Sequence, residues 1–213
     1  MATGVNESSV RTSYRHGDLR RALIEAGVDL AGEGGPAAVV LRETTRRAGV
    51  TPNAAYRHFA DRQALLDAVC SSCQALVAHS IEADQAVITS PDPAEAARLR
   101  FRAVGTGYLR FALEQPGQFQ TAFSASSDMD SATSSARAGQ SGLTPFQLLT
   151  QALDTLVTVG LLPPERRPAA EFLAWSAVHG LAELFIDGPL RALPDAVKQT
   201  LIVRVIDMVE KGL

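Results

Sequence analysis

LRETTRRAGVTPNAAYRHFADR, residues 41–62, decides how the rest of the chain is read. Its first part, Leu41 to Ala48, has the character of a short helix. Gly49 then supplies a tight turn, because glycine reaches positive φ without penalty. Thr51 and Pro52 open a second short helix. Threonine is a favoured cap for the free amides, and proline fits the first helical position, where its missing N–H costs nothing. Ala54, Ala55 and Phe59 are spaced to pack inward, which leaves Thr51, Asn53, Tyr56 and His58 presented outward. Two short helices about a glycine turn form a helix-turn-helix, whose second helix enters the DNA major groove. The stretch points to DNA binding rather than to catalysis.

The flanks fit that reading. Leu19, Leu23, Ala26 and Leu30 recur at helical spacing and predict a first helix over about 17–31, stopped by Gly32, Gly34, Gly35 and Pro36. Asp61 is placed to cap a long fourth helix over about 62–86, with Leu65, Leu66, Val69, Leu76 and Ile81 on its buried side. Between Val39 and Arg62 five arginines face only Glu43 and Asp61, whereas residues 76–213 carry 11 Lys and Arg against 15 Asp and Glu. The net charge of −3 therefore hides a basic head on an acidic body, which focuses positive potential where phosphates would sit.

Beyond residue 86 the pattern stays helical. A break rich in Pro, Ser and Asp precedes a helix to about Glu114, and a short helical turn holds Phe119 and Phe123. Residues 124–142 have almost no apolar bulk and are expected to be mobile. Thr144 and Pro145 open a further helix in which Phe146, Leu149, Leu153, Leu156 and Gly160 keep a three-four rhythm. The last two helices are expected over about 167–185 and 194–211. The final one is apolar over so much of its circumference that it needs cover on two sides. No strand-like alternation occurs, so the predicted class is all-α.

Several other chemistries are weak here. Cys70 and Cys73 have metal-ligand spacing but sit within one helix, with His79 the nearest further ligand, so small core residues are the plainer reading and no metal or cofactor is expected. Ser176, His179 and Asp187 suggest a hydrolase relay, yet one helix does not bring them together and there is no nucleophile elbow. The start of the chain has no apolar run behind a basic segment, and the most apolar stretch, Phe146 to Leu162, carries Asp154 and is too short to span a bilayer. A cytoplasmic protein without membrane contact is expected.

The run Arg46-Arg-Ala-Gly-Val-Thr-Pro-Asn-Ala-Ala-Tyr-Arg-His-Phe59, followed by Asp61-Arg-Gln-Ala-Leu-Leu66, closely resembles the DNA-binding domain of the tetracycline-repressor (TetR) family of bacterial transcription regulators. His16-Gly-Asp-Leu-Arg20 resembles the start of helix one in one branch of that family, and Trp175 with His179-Gly180-Leu181 resembles one type of its regulatory domain. The resemblance implies a DNA-contacting set of Arg42, Thr51, Pro52, Asn53, Ala54, Tyr56, His58 and Arg62. Within it, Tyr56, His58 and Arg62 match positions that meet the sugar-phosphate backbone, while Arg42 matches one that reaches a phosphate or a guanine edge. Asn53 has the chemistry to pair with adenine. The resemblance also implies an effector cavity, which Phe101, Tyr108, Phe111, Phe119, Phe123, Phe146, Phe172, Trp175 and His179 could line, with Phe101, Tyr108, Phe123, Phe146, Trp175 and His179 taken as the site and ordinary core packing the alternative for each.

The expectation is thus an all-α chain with a three-helix DNA-binding domain over 1–62 and a larger effector and dimerisation domain over 63–213. It would act as a homodimer through its last two helices, repressing a palindromic double-stranded operator until a partly apolar or aromatic effector releases it. An effector-independent regulator or activator is the alternative; a filled core near Trp175 would favour it.

Overall fold

Leu23, Ala26, Leu30 and Ala31 bury one stripe of the first helix, and that stripe decides where the helix lies. In this computed structural model residues 16–124 and 132–213 are described, with side chains from residue 19 onward. Expectations for the N-terminal arm and for residues 125–131 lie outside the described residues. The described residues form nine helices and no strand.

Helix α1 spans His16–Ala38 and overruns its expected stop. It continues through Gly32 and Glu33, breaks at Gly34 and Gly35, and resumes for a last turn at Pro36. A single interior glycine costs only about 1 kcal/mol, so Gly32 alone does not end a helix whose next turn is held elsewhere. That hold is Glu33, whose carboxylate receives both guanidinium arms of Arg47 at 2.8 Å.

Helices α2 (Leu41–Arg47) and α3 (Pro52–Ala55) flank the turn at Gly49, where φ is +68°. Thr44 and Thr45 are buried in α2, and their hydroxyls are satisfied locally by donating to the carbonyls of Val40 and Arg42. Ala55 and Phe59 are buried as the pattern predicts. Helix α4 (Arg62–Ala86) begins where Asp61 accepts a hydrogen bond from the Ala64 amide at 2.8 Å. It is long and apolar enough to cross a membrane, yet 56% of its most apolar window is buried against α1, α5, α6 and α7, which makes it the central core helix.

Helix α5 (Pro93–Glu114) is capped by Asp92 and packs closely on α4. At Gly107 a Cβ would stand 2.7 Å from the Ile81 Cα, so this crossing admits no side chain, and the Ser80 hydroxyl donates to the Gly107 carbonyl across it. Helix α6 (Pro116–Ala122) carries the fully buried Phe119. Residues 132–142 are not the mobile stretch that their composition suggests. A 3-10 turn over Ser135–Arg137 packs on α4, and Glu82 accepts from the amides of Gln140 and Ser141 and from the Ser141 hydroxyl. Burial works to raise the Glu82 pKa, but these donors and the nearby His79 outweigh it and hold the carboxyl below its ordinary value.

Helix α7 (Pro145–Thr158) opens with a reciprocal capping box between Thr144 and Gln147. Gly160, expected to continue its stripe, lies beyond the end with φ +75°. Helices α8 (Ala170–Ile186) and α9 (Asp195–Gly212) complete the fold. Arg167 stays outside α8 because its guanidinium ties Asp154 of α7 to Glu171 of α8.

Candidate nucleic-acid interface and internal cavity

Thr51, Pro52, Asn53 and Tyr56 are all exposed along the tip of α3 and the turn after it, and Tyr56 is 56% exposed despite its aromatic ring. Ala54 and His58 are half-buried, and Arg42 projects from the exposed side of α2. Thr51 stands at the cap position but makes no capping hydrogen bond, contrary to expectation; α3 is one turn long, and its hydroxyl stays at the exposed tip. A polar, donor-rich tip backed by the buried Ala55 and Phe59 can enter a groove without disturbing the core.

The arginines divide into two kinds. Arg46 is bonded to Glu43 within α2, and Arg47 to Glu33 of α1. These hydrogen bonds hold both carboxyls below the usual carboxylate range. Arg62 donates from Nε to the Val39 carbonyl at 2.9 Å and from Nη2 to the Pro36 carbonyl at 2.8 Å. It therefore clamps the start of α4 to the connection between α1 and α2, a role the sequence reading missed.

In the body of the protein a cavity of about 290 Å³ opens between α4, α5, α7, α8 and α9. All six residues singled out for an effector site, Phe101, Tyr108, Phe123, Phe146, Trp175 and His179, line it. Phe119 packs behind this wall, its ring centroid 5.2 Å from that of Tyr108. Phe172 lies outside the cavity, against Phe146, and Phe111 is buried in the core without lining it, so Phe111, Phe119 and Phe172 do not belong to the wall, contrary to expectation. Sequence reasoning missed Gln74 and Arg137; each is a lone polar residue in a stretch whose pattern was read as core helix or solvated loop.

The polar atoms of the wall form a directed chain. Trp175 donates from Nε1 to the Tyr108 hydroxyl at 3.2 Å, and that oxygen lies 2.8 Å from Nδ1 of His179. Burial pushes the Tyr108 pKa far up, so the phenol keeps its proton. Indole N–H can only donate, which leaves Nδ1 as the acceptor for that proton. Burial also lowers the His179 pKa, against a smaller opposing effect of Glu183. The imidazole is accordingly neutral, with its proton assigned to Nε2.

Cys70 and Cys73 are buried in α4, and burial raises the Cys73 thiol to about 12, so it remains a thiol in the core. Nδ1 of His179 is taken up by Tyr108 and Asp187 is bonded to Gln120, so Ser176, His179 and Asp187 form no relay.

Residues 23–69 match the family described as bacterial regulatory proteins, tetR family, and residues 101–209 match the tetracyclin repressor-like C-terminal domain. The chain belongs to the TetR family. Members of this family are DNA-binding transcription regulators rather than enzymes, and that is the function class of this TetR protein. A solved protein of unknown function from Rhodococcus sp. RHA1 is 25% identical, with 95% of this chain and 99% of that one covered and a TM-score of 0.71. A TetR family transcription regulator from Marinobacter aquaeolei VT8 is 20% identical over 91% and 94% of the two chains, with a TM-score of 0.59. RolR, solved in complex with resorcinol, is 18% identical over 91% and 88%, with a TM-score of 0.55. These last two share the fold with the TetR chain. Among curated proteins none matches it.

Proposed function

We propose that this TetR-family protein is a homodimeric repressor that grips a palindromic operator and is released by a small-molecule effector in the cavity. In this reading residues 1–62 are the DNA-binding domain and residues 63–213 the effector and dimerisation domain. Thr51, Pro52, Asn53, Ala54 and Tyr56 enter the major groove, with Arg42 and His58 at its edge. Arg62 combines its clamp with an approach to phosphate. Phe101, Tyr108, Phe123, Phe146, Trp175 and His179 hold the effector.

The observation that carries the reading is the course of α4. One helix starts at Arg62, tied to the α1–α2 connection, and contributes Gln74 and Ile81 to the cavity wall. A ligand that favours one setting of that helix must change DNA affinity by the same factor as DNA changes ligand affinity. The cavity beside Trp175 favours this over an effector-independent regulator, which calls for a filled core there. The resorcinol held by RolR supports a partly aromatic effector.

Support for the dimer comes from α8 and α9. Leu173 is 64% exposed, Met208 59% and Val203 51%, and among the described residues outside α8 no atom lies within 4 Å of the Cβ position of Gly180, which leaves room for a close partner helix. Covering such side chains is worth roughly 1.5–3 kcal/mol each. A two-fold pair of reading heads then asks for half-sites about one helical turn apart, or a multiple of that.

The test is to select an operator from random duplexes and titrate it with compounds that shift the Trp175 emission. Compounds that fill the cavity should weaken operator binding at fixed salt. Saturation of the emission change with operator affinity unaltered would sink the effector scheme.

A further inference from the structure

The cavity wall holds one group that its apolar lining does not call for. Arg137, at the end of the 3-10 turn, lines the cavity and is only 8% exposed. Its Nε is sealed from solvent and has no hydrogen-bond partner among the described residues. Among the described residues no Asp or Glu lines the cavity, and Glu82 of α4, on which the 3-10 turn packs, is occupied by Gln140 and Ser141. A guanidinium cannot shed its proton, so it lacks the usual escape of a buried ionisable group. A buried charge without a partner is strongly unfavourable.

We propose that the cavity takes an organic acid, its carboxylate paired with Arg137 and its apolar body among Phe101, Val104, Leu149 and Val178. This rests on the reading of the cavity as the effector site and names the chemical class of that effector. A guanidinium presents a planar set of N–H donors that matches the two oxygens of a carboxylate. Neutral His179 carries no competing charge, and the Nε2 of Gln74 is already spent on the Ala122 carbonyl, so Arg137 is the one cation of the wall among the described residues. The volume of about 290 Å³ is about twice the ~150 Å³ of an engineered cavity that holds benzene, which suits an acid of roughly a dozen non-hydrogen atoms.

Trp175 is the single tryptophan of the chain and lines the cavity, so its emission reports occupancy directly. Full-length protein is titrated with 4-phenylbutyrate and octanoate and with their primary amides, which match them in size without the charge. The acids should bind at least about tenfold more tightly than the amides, because a hydrogen bond to a charged group is the strong kind. Arg137→Gln and Arg137→Met should erase that preference while leaving amide affinity within about twofold, since the apolar contacts are untouched. Without ligand, Arg137→Met should melt no lower than the parent, because it removes a buried charge that no acid among the described residues pairs. Equal affinity of acids and amides, no response of Trp175 to either acid at millimolar concentration, or a marked fall in the melting temperature of Arg137→Met overturns the proposal. Amides that bind as tightly as the acids and still release the operator would leave the effector scheme standing and discard the acid alone.

Discussion

Tyr108→Phe removes one oxygen from the middle of the chain that joins Trp175 to His179 and leaves the ring in place. Tyr108 is 4% exposed, so its neighbours cannot move far to compensate. Two hydrogen bonds disappear, the one accepted from Trp175 Nε1 and the one donated to His179 Nδ1. Each neutral bond contributes about 1 kcal/mol net, and orphaned buried groups cost more than that. Trp175 and His179 are both half-buried and border the cavity, so solvent there takes over part of the loss. The expected destabilisation is about 1–2 kcal/mol, a fall in Tm of roughly 3–6 °C for a chain of this size. A second signature comes from pH. Burial depresses the folded-state pKa of His179, whereas the unfolded chain takes up that proton near the ordinary value of about 6.5. The stabilisation from keeping His179 neutral is therefore complete above about 6.5 and is lost as pH falls towards the folded-state value. In Tyr108→Phe the freed Nδ1 accepts a proton more readily, so the variant should lose less stability than the parent between pH 7.5 and 5.5. Urea melts of both proteins at the two pH values provide the assay. Equal stability at pH 7.5 together with an identical pH dependence would refute the directed hydrogen-bond chain.

Three further outcomes follow from other contacts. Arg62→Ala should lower stability by about 1–2 kcal/mol through its two lost carbonyl partners, and faster amide exchange around residues 36–40 should accompany that loss; unchanged exchange there would remove the clamp. Glu82→Gln should weaken the grip on residues 140–141. Because the Glu82 carboxyl is held low, the stability difference between Glu82→Gln and the parent should be full above about 4.5 and shrink as pH falls through the folded-state value. Val203→Asp, on the exposed face of α9, should shift sedimentation from dimer to monomer without unfolding the chain; a persistent dimer would place the interface elsewhere.

The fold was readable wherever a helix end carries its own chemistry. Asp61 fixed the start of α4 and Thr144 that of α7, because those side chains satisfy amides only three residues away. Contacts between distant backbone groups left no such trace. The Arg62 clamp uses carbonyls of residues 36 and 39, which any sequence would supply. Residues 132–142 looked mobile for want of apolar bulk, yet amides donating to Glu82 hold part of them. The exposed tip of α3 was legible because turn, helix-opening proline and polarity fall within about a dozen consecutive residues, whereas the cavity draws on five helices. Its aromatic wall was reached only through family resemblance, and Arg137, single and flanked by small residues, passed for solvated surface.

The most direct test of DNA reading by the tip of α3 is a hydroxyl-radical footprint on a selected duplex, taken with the parent protein and with Asn53→Ala and Tyr56→Ala across a range of salt. The account predicts two protected patches on one face of the duplex, related by a two-fold axis, fading steeply with salt and lost in both variants. Uniform protection, or a footprint that both variants reproduce, would contradict it.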